Sequence, residues 1–427
     1  MTPYQLLERL FPINRSITGQ GVEESLEIIK TLLPALRILK IPSGTQCFDW
    51  VVPEEWYARN AFLEDDSGER ILDFKENNLH LVGYSTPIDT ILPIEELQEH
   101  LYSLEELPDA IPYVTSYYKK RWGFCLSDRQ RKALKPGNYH AVIDSSFKKG
   151  SLTYGELIIP GDKEQEVLLS TYICHPSLAN DNLSGPVVLT FLAEWLSSLP
   201  SRKYTYRIVY TPETIGAISY LHKNLEQLKK RVIAGFIFTC LGDERTWSYL
   251  PSRNGNTLSD RVAKYVLNKF VPAYTTYSFL DRGSDERQYC SPGVDLPIAS
   301  IMRSKYGTYP EYHTSLDNLG FVTDEGLNQS LELYKNVIGI IEKNATYKTT
   351  CLCEPQLGKR GLYPTISTKK TMGTTKDLMN LIAYADGSRD LLSIAEHIQV
   401  DFDICVENAE RLREATLFNM CEVVNKI

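Results

Sequence analysis

No stretch of the 427 residues approaches the roughly 18 consecutive apolar residues that a membrane-spanning helix needs, so a helical membrane protein is excluded. Cysteine is scarce. Nine in the whole chain are too few for a disulfide-stapled scaffold. Positive charge is also in short supply: 46 basic against 54 acidic residues leave a net charge of -8, which argues against a protein held to nucleic acid by bulk electrostatics. The first residues, Met1 to Gln5, lack the basic start and apolar run of a secretory signal, and a cytoplasmic location is expected. There is no internal repeat and no low-complexity tract. Apolar residues at 43% and charged residues at 23% are ordinary for a globular chain of two or three domains. Histidine is rare enough, at seven, for each to be weighed by its surroundings.

The pattern changes three times along the chain. Thr2 and Pro3 start a helix that places Leu6, Leu7, Leu10 and Phe11 on one face, and a second helix is expected from Val22 to Leu33. Residues 44–134 are crowded with aromatics, among them Trp50, Trp56, Tyr84, Tyr113, Tyr117, Tyr118 and Trp122. Short alternating runs and turn residues there predict an inserted β-rich domain. Strands and helices alternate from about 164 to 347. The strands are predicted at Val167–Ile173, Tyr206–Tyr210, Val232–Cys240 and Pro297–Met302, and the last helix at Glu325–Lys343. That alternation predicts a three-layer α/β sandwich with a mixed, mainly parallel sheet, made of residues 1–43 and 135–347. Residues 348–427 read as a loop-rich linker, Cys351 to Pro364, followed by three short helices in a winged-helix arrangement. From residue 375 on there are five basic and ten acidic side chains, so a phosphate backbone would repel this module, and a protein partner suits it better than DNA.

Chemistry-bearing residues collect at predicted strand ends, where open α/β sheets build their sites. His175 follows the first such strand, and a polar loop then carries Asp181 into a helix. An imidazole and a carboxylate suit a borderline cation such as zinc, although each also reads as an ordinary strand-end or helix-cap residue. Glu213 stands at the turn after the next strand, either as a general base beside a metal or as a first-turn acid favoured by the helix dipole. His313 follows the last strand and precedes the long helix. Between them, Arg282, Asp285, Glu286 and Arg287 form a charged cluster that reads either as a solvated loop or as a clamp for a substrate carboxylate. His80, His100, His140, His222 and His397 sit alone and read as structural, and Cys351 and Cys353 lack a partner pair for a zinc knuckle.

Together these segments resemble the zinc aminopeptidase and glutamate-carboxypeptidase superfamily. The resemblance covers about residues 135–345. It is carried by His175, by Ala179-Asn180-Asp181-Asn182-Leu183-Ser184-Gly185, by Glu213-Thr214-Ile215-Gly216, and by Tyr312-His313-Thr314-Ser315-Leu316-Asp317. More closely, the chain is similar to bacterial aminopeptidase-like proteins linked to polysaccharide biosynthesis, which carry an inserted β domain and a C-terminal winged helix. The motifs Leu10 to Gly19, His175 to Gly185 and Gly283 to Gly293 are typical of that group.

The resemblance implies metal ligands at His175, Asp181 and His313 and a general base at Glu213. It departs at Thr214, Thr239 and Ser177, where the superfamily has carboxylates. Asp243 is a weak replacement for the acid missing near Thr239. A single zinc rather than two is therefore expected. Arg282, Asp285, Glu286, Arg287, Arg303 and Tyr312 are the candidates for holding a small or peptide-like substrate, anionic or sugar-derived. The implied activity is zinc-dependent hydrolysis of an amide or peptide-like bond. The alternatives are a non-catalytic binding protein on a retired enzyme scaffold, or a regulator acting through the winged helix. A homodimer is compatible with the exposed sheet edges, and no membrane partner is expected.

Overall fold

The computed structural model describes residues 1–362 and 369–421. The chain divides into two units, Met1–Lys335 and Asn336–Ile427.

The first unit is built on an eight-stranded mixed sheet. Its four central strands, Tyr204–Thr211, Lys163–Tyr172, Val232–Phe238 and Ile298–Met302, run parallel to one another. Their inner residues are almost entirely buried, which is why they read as unbroken apolar runs rather than alternating ones. Helices Ser184–Ser198 and Ile215–Arg231 connect them. The flanks are antiparallel. Ser151–Ile159 pairs with the central Tyr204–Thr211, and Arg37–Pro42 forms the edge beyond it. Sequence periodicity did not single out these two strands, because their burial comes from neighbours far along the chain.

One central strand carries a buried ion cluster. Arg207 donates from Nε and Nη2 to Glu166 at 2.5 and 2.9 Å, and from Nη1 to Glu156 at 2.8 Å. The Tyr220 hydroxyl also donates to Glu156, at 2.7 Å. Burial works against the Arg207 charge, but the Glu166 hydrogen bonds outweigh it and raise its pKa above the ordinary guanidinium value.

The aromatic segment forms a four-stranded antiparallel sheet in the order Arg70–Asp73, Glu55–Asp65, Asn138–Lys148, Ile88–Pro93. Strand Asn138–Lys148 lies beyond residue 134, so this sheet extends past the boundary drawn from composition. Trp56 stacks on Tyr84 at 5.5 Å, and its indole N–H donates to Ser85 O at 3.0 Å. Much of the aromatic content is therefore core.

In the second unit, helices Lys369–Tyr384, Leu391–Ile398 and Phe402–Glu414 accompany a three-stranded antiparallel sheet centred on Thr346–Thr349. This is the winged-helix arrangement expected. Asp386–Asp390, between the first two helices, is an edge strand of that sheet. The linker's last residues, Tyr363 and Pro364, and the charges at Glu422 and Lys426 lie outside the described residues. Among the described residues, no helix is long and apolar enough to cross a membrane.

Candidate metal centre

The candidate residues meet beyond the carboxyl ends of the parallel strands. His175 follows Lys163–Tyr172, and Glu213 follows Tyr204–Thr211. Asp181 lies in the turn before helix Ser184–Ser198, and His313 in the loop after Ile298–Met302. Ligand atoms of His175, Asp181 and His313 lie within 4.8 Å of one another.

Three buried atoms there have no hydrogen-bond partner: His175 Nδ1, Asp181 Oδ2 and His313 Nε2. Asp181 Oδ2 stands 3.9 Å from His175 Nδ1 and 3.0 Å from His313 Nε2, the latter pair not aligned as a hydrogen bond. Buried polar atoms left unpaired are costly and rare. Two imidazole nitrogens and one carboxylate oxygen facing one point are the donor set of a catalytic zinc site with an open position. The residues present fit that cation. Burial alone would raise the Asp181 pKa, but His175 and His313 hold it below the ordinary carboxylate value.

The loop that presents these atoms is held from several sides. The Asn180 and Asp181 amides donate to the two oxygens of Asp317 at 2.6 and 2.9 Å. Burial lifts the Asp317 carboxyl to about 7. Asn182 Nδ2 reaches Tyr172 O at 2.8 Å and Thr171 Oγ1 at 3.1 Å. The peptide between Asp181 and Asn182 is cis, and Ser177, Thr214, Cys240 and His313 all adopt positive φ. Positive φ in non-glycine residues gathers where tertiary structure overrides local preference.

Gly185 is required by close approach. A Cβ there would stand 2.3 Å from Phe238 O and 2.5 Å from Asn182 Oδ1. Gly185→Ala is expected to lower stability by about 1–3 kcal/mol, read from urea midpoints, because a backbone oxygen cannot move aside.

Glu213 Oε2 stands 3.5 Å from His175 Nε2, on the side of the ring away from Asp181. Its neighbour Thr214 donates its amide to Asp285 Oδ1 at 2.7 Å and accepts Arg287 Nη2 on its hydroxyl at 2.6 Å. Burial first, and the nearby Glu213 second, push the Asp285 pKa well above the ordinary value.

Glu213, Thr214, Arg287, His175 and His313 face a cavity of about 310 Å³. Its other wall comes from the inserted module: Trp50, Tyr113, Thr115, Tyr117 and Tyr118. The Tyr113 ring meets His175 and His313 edge-on, at 5.2 and 5.1 Å. Its amide donates to His313 O at 2.8 Å, and Ser315 N donates to Ile111 O at 2.9 Å. The insert therefore helps to fix the His313 loop.

Of the substrate candidates, only Arg287 lines this cavity. Arg282 is exposed and donates to Phe279 O. Glu286 accepts the Gly283 and Ser284 amides and the Tyr306 hydroxyl, and Asp285 is committed to Thr214. Arg303 lies over the Trp247 ring at 4.3 Å and bonds Gln329. Tyr312 stacks on His313 at 3.9 Å rather than lining the cavity. The other five candidates do not line this cavity, although Asp285 Oδ2, Glu286 Oε2 and Arg303 Nε are buried and unpartnered. Closeness in sequence put Arg282, Asp285, Glu286 and Arg287 in one segment without aiming all four at one space.

Asp243 is no stand-in ligand either, since it bonds Ser304, Asn180 and the Arg245 amide. Cys174, Cys240 and Cys290 are buried, and burial pushes each thiol up, so they read as structural. Sequence reasoning missed the Tyr113–Tyr117 wall, whose only signal was aromatic crowding. It also missed Arg15, in the Leu10–Gly19 motif. Arg15 is buried and donates from Nε to His175 O at 3.0 Å and from Nη1 to Leu10 O at 2.5 Å. Burial pushes its pKa down to about 9.

Comparison with known proteins bears out the resemblance and the fold. Residues 4–344 match the family described as Domain of unknown function (DUF4910), and residues 345–420 match a winged helix-turn-helix. A Clostridium acetobutylicum protein, provisionally named a polysaccharide biosynthesis protein with an aminopeptidase-like domain, is 44% identical over 93% of this chain and 92% of its own. A crystal structure of a provisionally assigned peptidase from the same species superposes with a TM-score of 0.90 at 42% identity, covering 98% of this chain and 96% of that one. BSAP, a zinc aminopeptidase from Bacillus subtilis, shares the fold alone, with a TM-score of 0.58 at 12% identity over 79% of this chain and 94% of its own.

Proposed function

The chain belongs to the family described as Domain of unknown function (DUF4910), here followed by a winged helix-turn-helix, and from that premise we propose that it is a metal-dependent hydrolase of an amide or peptide-like bond. The observation that carries this reading is the convergence of His175 Nδ1, Asp181 Oδ2 and His313 Nε2, all buried and unpartnered, at the edge of a cavity that also holds Glu213. These three residues would hold a single zinc ion. Zinc in such a site supplies Lewis-acid polarisation of a carbonyl and brings the pKa of water down toward about 7.

The rest is the work of this chain's own side chains. Glu213 takes the proton of the attacking water at its carboxylate and returns it to the leaving nitrogen. The Tyr113 and Tyr117 hydroxyls, 2.8 Å apart, share one hydrogen bond and leave one O–H for a substrate oxygen. Arg287, with Nε buried and unpartnered, offers a donor to an anionic or carbonyl group. The cavity pairs aromatic faces with neutral hydroxyls and holds few charges, which suits a sugar-bearing amide. The polysaccharide-biosynthesis name of the Clostridium acetobutylicum relative agrees with that substrate class.

Glu213→Gln tests the reading. With N-acyl amino sugars and aminoacyl amides as substrates, kcat is expected to fall about 10²–10⁴-fold while the zinc content stays that of the wild type. Full activity in this variant would remove Glu213 as the base.

A further inference from the structure

The two oxygens of Asp181 lie in different surroundings. Oδ2 has no hydrogen-bond partner and faces His175 and His313. Oδ1 accepts the Tyr172 hydroxyl, and that hydroxyl is itself 2.7 Å from Thr239 Oγ1. Tyr172 ends strand Lys163–Tyr172, and Thr239 follows strand Val232–Phe238, its parallel neighbour, with Thr171 registered opposite Phe238. Both side chains are fully buried, so the sheet itself holds the hydroxyl against Oδ1.

A carboxylate that bridges two cations through both its oxygens presents one oxygen to each. Here the Oδ1 lone pairs meet an O–H donor, with the Cys240 sulfur 3.9 Å away. Neighbouring acids do not supply a replacement. Both oxygens of Asp317 accept backbone amides, and Asp285, whose Oδ1 accepts the Thr214 amide while Oδ2 is unpartnered, does not group with these ligand atoms. Among the described residues, His175, Asp181 and His313 make the one group of three or more His, Cys or carboxylate ligand atoms close enough to share an ion.

We infer that Tyr172 is a positioning residue that closes the Oδ1 side of Asp181 to metal, so that Asp181 binds through Oδ2 alone and the centre takes one cation. This rests on the metal reading above. A hydrogen bond to the non-ligating oxygen of a metal-bound carboxylate fixes its rotation, and such outer partners are worth about 10–100-fold in affinity.

The test is cation binding by the full chain. Equilibrium dialysis against cobalt(II) with elemental analysis is expected to give one cation per wild-type chain. Tyr172→Phe is expected to bind 10–100-fold more weakly. Its cobalt absorption should also lose intensity, because a freed Oδ1 raises the coordination number. Thr239→Val should move the spectrum the same way by less, and it decides the matter if Tyr172→Phe does not fold. Tyr172→Phe combined with Thr239→Asp, which supplies a second carboxylate, is expected to take two cations. Two cations on the wild type, or spectra of Tyr172→Phe or Thr239→Val that superimpose on the wild type, would overturn the role of Tyr172. A wild-type chain that binds no cation would instead remove the metal reading, and this inference with it.

Discussion

Asp181→Asn is expected to abolish both cation binding and hydrolysis while leaving the chain folded. The substitution keeps the size of the side chain and the Asn180 and Asp181 amide bonds to Asp317. It removes the negative charge facing His175 and His313. Zinc affinity should fall by more than the roughly 100-fold that loss of an outer partner costs, because here a ligand itself is lost. A cation that binds only the native state raises the melting temperature by mass action, so added zinc should stabilise the wild type and leave Asp181→Asn unmoved. Without metal the variant should melt somewhat lower than the wild type, since His175 and His313 favour the Asp181 charge in the folded state. Two thermal melts with and without zinc, beside a hydrolysis assay, check all of this. A zinc-dependent shift that survives in the variant would exclude Asp181 as a ligand.

Arg207→Leu is expected to be the most destabilising single change away from the site. It leaves Glu166 and Glu156 buried at 1% and 6% exposure without their shared cation. Removing one partner of a buried ion group costs about 3–5 kcal/mol, most of it the penalty of the charge left behind. Arg231 already pairs with Glu166, its Nη1 3.6 Å away, but its side chain is one-third exposed and does not fill the space of the buried guanidinium. Urea unfolding should therefore show a large drop in midpoint. Combining Arg207→Leu with Glu166→Leu and Glu156→Leu should recover much of the loss, because well-packed apolar groups often match a buried ion group. A single variant within about 1 kcal/mol of the wild type would mean that water or a protonated acid replaces the guanidinium.

The central strands were legible because burial on both faces writes itself as apolar runs, as in Val167–Tyr172. The strands Arg37–Pro42 and Ser151–Ile159 were not, since their partners are supplied by the antiparallel flank of a sheet assembled elsewhere. The same division runs through the site. His175, Asp181, Glu213 and His313 were legible because each sits at a strand end beside a short, recognisable motif. Arg287 shared its cluster with Arg282, Asp285 and Glu286, and charge alone could not say which of the four would face the cavity. Arg15 grips His175 O from 160 residues away, and Ile111 pairs with Ser315 across 204. No local pattern encodes contacts of that span.

By itself, the amino-acid sequence determined the α/β sandwich, the aromatic insert, the winged helix and the four residues on which the chemistry is read. Hydrophobic periodicity and strand-end motifs are local properties, and the backbone obeys them locally. Only the tertiary structure decided what those residues face. It placed the insert's Tyr113 and Tyr117 across from the metal-binding candidates, and it gave one oxygen of Asp181 to Tyr172 while leaving the other free. The physical reason is that hydrogen bonding in a buried site is settled by direction and distance between strands, which the order of residues along a chain does not record.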